Sequence, residues 1–136
     1  MTMFLMAISI IFTPPPLDKE TGILSQYAVG VMPPVVEARQ EWGHIPEDLS
    51  HVDGFIAVWD CDRLGDVGLL SVDGRDWVDG QEWVTVMVAD CSGHVSTTEW
   101  MINNNIIAEI SGELAEGFGV TCLCPVDGEI VWLPSN

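Results

Sequence analysis

Residues 54–93, GFIAVWDCDRLGDVGLLSVDGRDWVDGQEWVTVMVADCSG, decide the fold. The run "GFIAVWD" has the β-branched and aromatic content of a buried strand. "RLGDVGLLSVDGRDWVDGQEWVTVMVAD" reads as strand, acidic turn, strand. Asp and Gly in "DGRDWVDG" supply the left-handed conformations that a tight reversal needs. "VTVMVADCSG" then ends a strand-like apolar run on Asp90 and Cys91, repeating the Asp60–Cys61 pair that closes the earlier run. A carboxylate and a thiol at the mouth of a buried strand serve either chemistry or scaffolding.

Toward the N-terminus, "ILSQYAVGVM" reads as a first strand or two, and "PPVVEARQEWGHIPEDLSH" as a mixed segment with a short helix around Val36 to Trp42. After Cys91 the period changes. Ser96 stands three residues before Glu99, the capping-box spacing that opens a helix, and the helix ends in the Asn run, since Asn tolerates a left-handed cap. "IIAEIS" alternates, with Ile106, Ala108 and Ile110 on one face, and "GELAEGFG" is a helical turn stopped by glycines. The tail "VTCLCPVDGEIVWLPSN" reads as a hairpin about Asp127-Gly128.

A chain of 136 residues with 48% hydrophobic content is one domain able to bury a core. Its net charge of −17, from 21 acidic and 4 basic residues, argues against nucleic acid and anionic membrane surfaces as partners. The opening "MTMFLMAISIIFTPPP" holds an apolar stretch of about a dozen residues, the length of a signal-peptide core and too short for a spanning helix. No Lys or Arg precedes it and no A-x-A site follows it. Residues 1–21 are therefore expected to form an apolar leader and Pro-rich connector, with the domain over residues 22–136. Four cysteines permit two disulfides or a metal site. There is no C-x-x-C, and His44, His51 and His94 form no H-x-x-x-H group, so no zinc site is expected. Disulfides would imply an oxidising, extracytoplasmic compartment. No nucleotide-binding glycine loop or Ser-His-Asp motif is visible, and no cofactor is expected.

Short strands with two short helices in one compact unit predict a mainly β fold, a small β-barrel. The order "GFIAVWDCDRLGDVGLL", acidic turn, "VTVMVADCSG", short helix "TTEWMINNN" and "IIAEIS" resembles the double-psi β-barrel domain of the rare lipoprotein A and expansin-like proteins. The likeness covers roughly residues 22–118, best from Gly54 to Gly112. It implies a six-stranded double-psi-like barrel, here followed by the C-terminal hairpin. Asp90 stands where that family has the Asp of Asp-Arg-Gly-Pro, and Leu64-Gly65 at its turn glycine. Trp59 occupies the family's histidine position, and Cys91-Ser92-Gly93 replaces Arg-Gly-Pro.

The resemblance implies glycan chemistry with Asp90 as acid/base, a role that burial at the end of an apolar strand would favour. The competing reading is an Asp that accepts backbone N–H groups in a turn. Glu37 is the second carboxylate if "VVEARQEW" lies against the barrel mouth. Trp59, Trp77 and Trp83 are candidate sugar platforms, with Asp60 beside them and His94 in place of the missing histidine. Cys61 and Cys91 are expected to form a disulfide, with two buried free thiols as the alternative. Cys122 and Cys124 are expected not to bond, because alternate residues of a strand lie about 6.5 to 7 Å apart. The expected function is an extracytoplasmic module that binds cell-wall or other polysaccharide, with at most vestigial lytic-transglycosylase-like activity. The alternative is a non-catalytic structural or protein-binding module of a surface or virion assembly.

Overall fold

In the computed structural model, which describes residues 17–134, the apolar runs become six strands. They are β1 (Lys19–Gln26), β2 (Gly54–Val58), β3 (Val67–Val72), β4 (Val84–Cys91), β5 (Ile106–Ile110) and β6 (Val126–Trp132). The strands close into a barrel in the order β1-β5-β2-β4-β3-β6, which leaves no edge open for pairing with another chain. β1 runs parallel to β5 and β2 parallel to β4; every other neighbouring pair is antiparallel. Three short helices, α1 (Met32–Glu41), α2 (Val95–Asn103) and α3 (Gly112–Gly117), pack around it. The fold is thus a small mainly β barrel with short helices. None of the described helices is long and apolar enough to cross a membrane.

Inside the barrel lie Leu24, Ile56, Val58, Leu70, Val86, Val88, Ala108, Ile110 and Ile130, with Leu114 and Phe118 of the α3 region closing one end. A second apolar cluster joins Met32 and Val36 of α1 to Met87 and Ala89 of β4. β4 is therefore buried on both faces, which explains why "VTVMVA" is nearly continuous in apolar residues instead of alternating. The pairing of β2 with β4 slips at Ala89: Ile56 faces Val88, but Ala57 faces Asp90. The extra residue turns Asp90 to the same outer face as Ala57.

Several expectations change. The first helix begins at Met32, four residues before Val36, because prolines at its start need no N–H partner and are preset for helix. Among the described residues the short helices number three. Ser96 caps nothing: α2 starts at Val95 behind His94, with no side-chain cap. The cap forms instead at Ser111, whose Oγ accepts from the Leu114 N–H at 3.1 Å. No hairpin turns at Asp127-Gly128; both lie within β6, which pairs with β1 and β3. Gly128 stands opposite Gly22, and a Cβ on it would lie 2.6 Å from the Ser71 carbonyl, so this glycine permits close packing. β1 begins at Lys19, inside the stretch 1–21 expected to form a leader and connector; residues 1–16 of that stretch lie outside the described residues.

The Cys61–Cys91 disulfide forms, with its Cα atoms 5.0 Å apart. Cys122 and Cys124 are also bonded, against expectation. They lie in a bent loop between α3 and β6, not in a strand, and their Cα atoms are 5.2 Å apart.

Candidate functional site

Strand register builds a polar row on the outside of the barrel. Ala57 pairs with Asp90 on one side and Glu109 on the other, and Glu109 pairs in turn with Ser25. Their neighbours Ile56, Val58, Ala108, Ile110 and Leu24 point inward, so alternation turns Ala57, Glu109 and Ser25 outward. The Ser25 hydroxyl is buried without a hydrogen-bond partner among the described residues.

The chain between β1 and β2 lies over this row. Arg39 of α1 donates to Asp90 Oδ1 at 2.9 Å, the Tyr27 hydroxyl donates to Oδ2 at 3.1 Å, and the Cys91 N–H donates to Oδ1 at 3.0 Å. A second nitrogen of Arg39 lies 2.9 Å from His44 Nδ1. Because a guanidinium has no acceptor, Nδ1 is the acceptor in this contact. The Arg39 guanidinium also sits 5.7 Å from the Trp42 ring centre, and Trp42 meets His44 edge-on at 5.8 Å. Trp42 is 64% exposed, so the cluster opens to solvent through an indole face.

Burial, and then the charge of Asp90, raise the Glu109 carboxyl above the ordinary glutamate value. Burial first, then the Asp90 and Glu109 charges, push the Tyr27 hydroxyl far above the usual phenol range, so it remains a donor. Asp90 is anchored by a cation and two further donors, whereas Glu109 takes up a proton more readily than an ordinary glutamate. As both Asp90 oxygens already accept, a glycosidic oxygen would have to displace Tyr27 or Arg39 to reach them.

The residues singled out in the sequence do not converge. Glu37 lines a cleft of about 410 Å³ on another flank of α1; two residues apart on a helix, Glu37 and Arg39 do not share a face. Trp59 and Asp60 line a small pocket with Val58, Arg63 and Trp132. Asp60 Oδ1 accepts from the Asp62 N–H at 2.9 Å, capping a short turn. Trp77 packs edge-on against Phe118 at 5.1 Å, at the other end of the barrel, where half-buried Trp83 precedes β4. His94 is exposed at the start of α2, its carbonyl accepting from the Thr98 N–H and the Ser92 hydroxyl. Among the described residues, no group of three or more His, Cys, Asp or Glu side chains is placed to hold a metal ion.

No sequence pattern marks Tyr27, Arg39, Trp42, His44 and Glu109 as one cluster. One signal was available: Arg39 is one of only 4 basic residues in a strongly acidic chain, so an acidic partner was to be sought for it. Compared with known proteins, the chain matches no family model and no curated protein sequence.

Proposed function

We propose that this chain is an extracytoplasmic barrel that binds polysaccharide without cleaving it, on the outer face formed by Trp42, Arg39, His44 and Asp90. The observation that carries this reading is the exposed Trp42 indole, held by Arg39 and His44 beside a carboxylate whose two oxygens are both engaged. A pyranose ring stacks its C–H face on such an indole and offers its hydroxyls to neighbouring polar groups. The engaged carboxylate favours holding a glycan over protonating its leaving oxygen.

Further support for a double-psi relationship comes from the closed barrel with parallel pairs β1·β5 and β2·β4. Gly65, at the turn where the resemblance puts a glycine, has φ +87° and lies against the His44 carbonyl. Two disulfides are compatible with an extracellular protein. The charge of −17 repels uronate- or phosphate-bearing chains, so the glycan is neutral or carries amines.

The test is depletion of the purified protein by insoluble chitin, cellulose and peptidoglycan sacculi, with the soluble fraction analysed by mass spectrometry. Binding to one of these, weakened at least about tenfold by Trp42→Ala with no fragments released, is the expected result. Retention of full binding by Trp42→Ala, or no binding to any of the three, overturns the reading. Fragments released by the wild type and not by Asp90→Asn would replace it with a lytic enzyme.

A further inference from the structure

We infer that the cleft between α1 and the start of β2 docks a protein segment presenting a lysine or arginine beside apolar side chains. The inference is independent of the glycan reading, since the cleft lies on a different flank of α1 from Arg39. The cleft is about 410 Å³, within the range of ligand-binding sites. Met32, Val36 and Phe55 give it an apolar floor, while Glu37, Asp53 and Glu113 supply carboxylates. Asp53 Oδ2 accepts from the Thr85 N–H at 2.9 Å and Glu113 Oε2 from the Gly30 N–H at 2.8 Å, which fixes both groups in place.

Among the described residues, no lysine or arginine pairs with these acids. All 4 of its basic residues are committed elsewhere: Lys19 to Glu129, Arg39 to Asp90, Arg63 to Asp18 and Asp66, and Arg75 to the Gly119 carbonyl. A ligand must bring the positive charge. A lysine or arginine suits both features of the cleft, since its hydrocarbon stem covers Phe55 and Val36 while its head reaches the carboxylates. The volume exceeds that of one side chain, so neighbouring apolar residues of the segment enter with it.

A second acidic depression provides an internal control. It is about 350 Å³ and is lined by Asp73, Glu82, Asp127 and Glu129 with Thr21 and Ser71, without a hydrocarbon floor. The experiment is calorimetric titration of the full chain with a short peptide of alternating Leu and Lys. The same peptide with Glu for Lys, and spermine, are the comparison ligands. The Leu/Lys peptide is expected to bind and the Leu/Glu peptide not to. Its Kd should rise at least about tenfold in Glu37→Lys, at an exposed position, and in Glu37→Gln/Glu113→Gln. Asp73→Asn/Glu82→Gln should leave it unchanged. Absence of Leu/Lys binding overturns the proposal. So does equal weakening by the control variant, or spermine binding as tightly as the peptide, because each reduces the effect to the general charge of the chain.

Discussion

Asp90 owes its setting to one extra residue. Without the slip at Ala89, strand alternation would send its side chain into the barrel core, where an unpaired carboxylate is costly. With it, the carboxylate meets Arg39 and Tyr27. Replacing Arg39 by Met leaves a half-buried anion without its cation and should cost about 2 kcal/mol in urea unfolding, with Asp90→Asn recovering part of that loss. Glu109 behaves in the opposite sense. Its carboxyl is raised in the folded state, so the fold favours its protonated form, and stability falls as pH climbs from the ordinary glutamate range through the raised value. Glu109→Gln should therefore be more stable than wild type at pH 7, with the gap closing as pH falls into the ordinary glutamate range. Unfolding curves at the two pH values check this; an equal difference at both would contradict it. Asp90 was legible in the sequence as a carboxylate at a strand end. Its partners were not, because the slip falls inside an unbroken apolar run and Arg39 lies 51 residues away.

At the scale of elements, periodicity located β2, β3, β4 and β5, where apolar side chains fill the barrel. It erred where glycine and serine had two meanings. An Asp-Gly pair between apolar runs is a turn signal, yet Gly128 lies opposite Gly22 because side chain and backbone crowd that position from above. Ser96 and Ser111 both precede helical sequence, and only Ser111 acquires the extended conformation that lets its Oγ reach a free N–H. Ser111→Ala should lower stability by about 1 kcal/mol, whereas Ser96→Ala should fall within about 0.5 kcal/mol of wild type. Thermal unfolding of the two variants side by side decides between these caps.

For the whole molecule, barrel closure brings together the ends of β2 and β4, and with them Cys61 and Cys91. That pairing was legible from the repeated Asp-Cys ending of two apolar runs. The bond between Cys122 and Cys124 was not, since the strand spacing used to judge it does not hold in a bent loop. The two crosslinks should differ in weight. The first spans a sequence separation of 30 and the second only 2. Cys61→Ala/Cys91→Ala should lose roughly 3 kcal/mol, and Cys122→Ala/Cys124→Ala about half of that, by denaturant unfolding. Barrel closure also distributes the tryptophans, leaving Trp42 exposed next to the Asp90 cluster and Trp77 packed on Phe118 at the far end. The most direct test of glycan binding at the Trp42 face is therefore a titration of the 15N-labelled protein with soluble chito-oligosaccharide, following the indole N–H signals. The Trp42 indole and the amides around Arg39, His44 and Asp90 are expected to shift together while the sugar stays intact. Shifts confined to Trp59 and Trp100, or none at any indole, would contradict it.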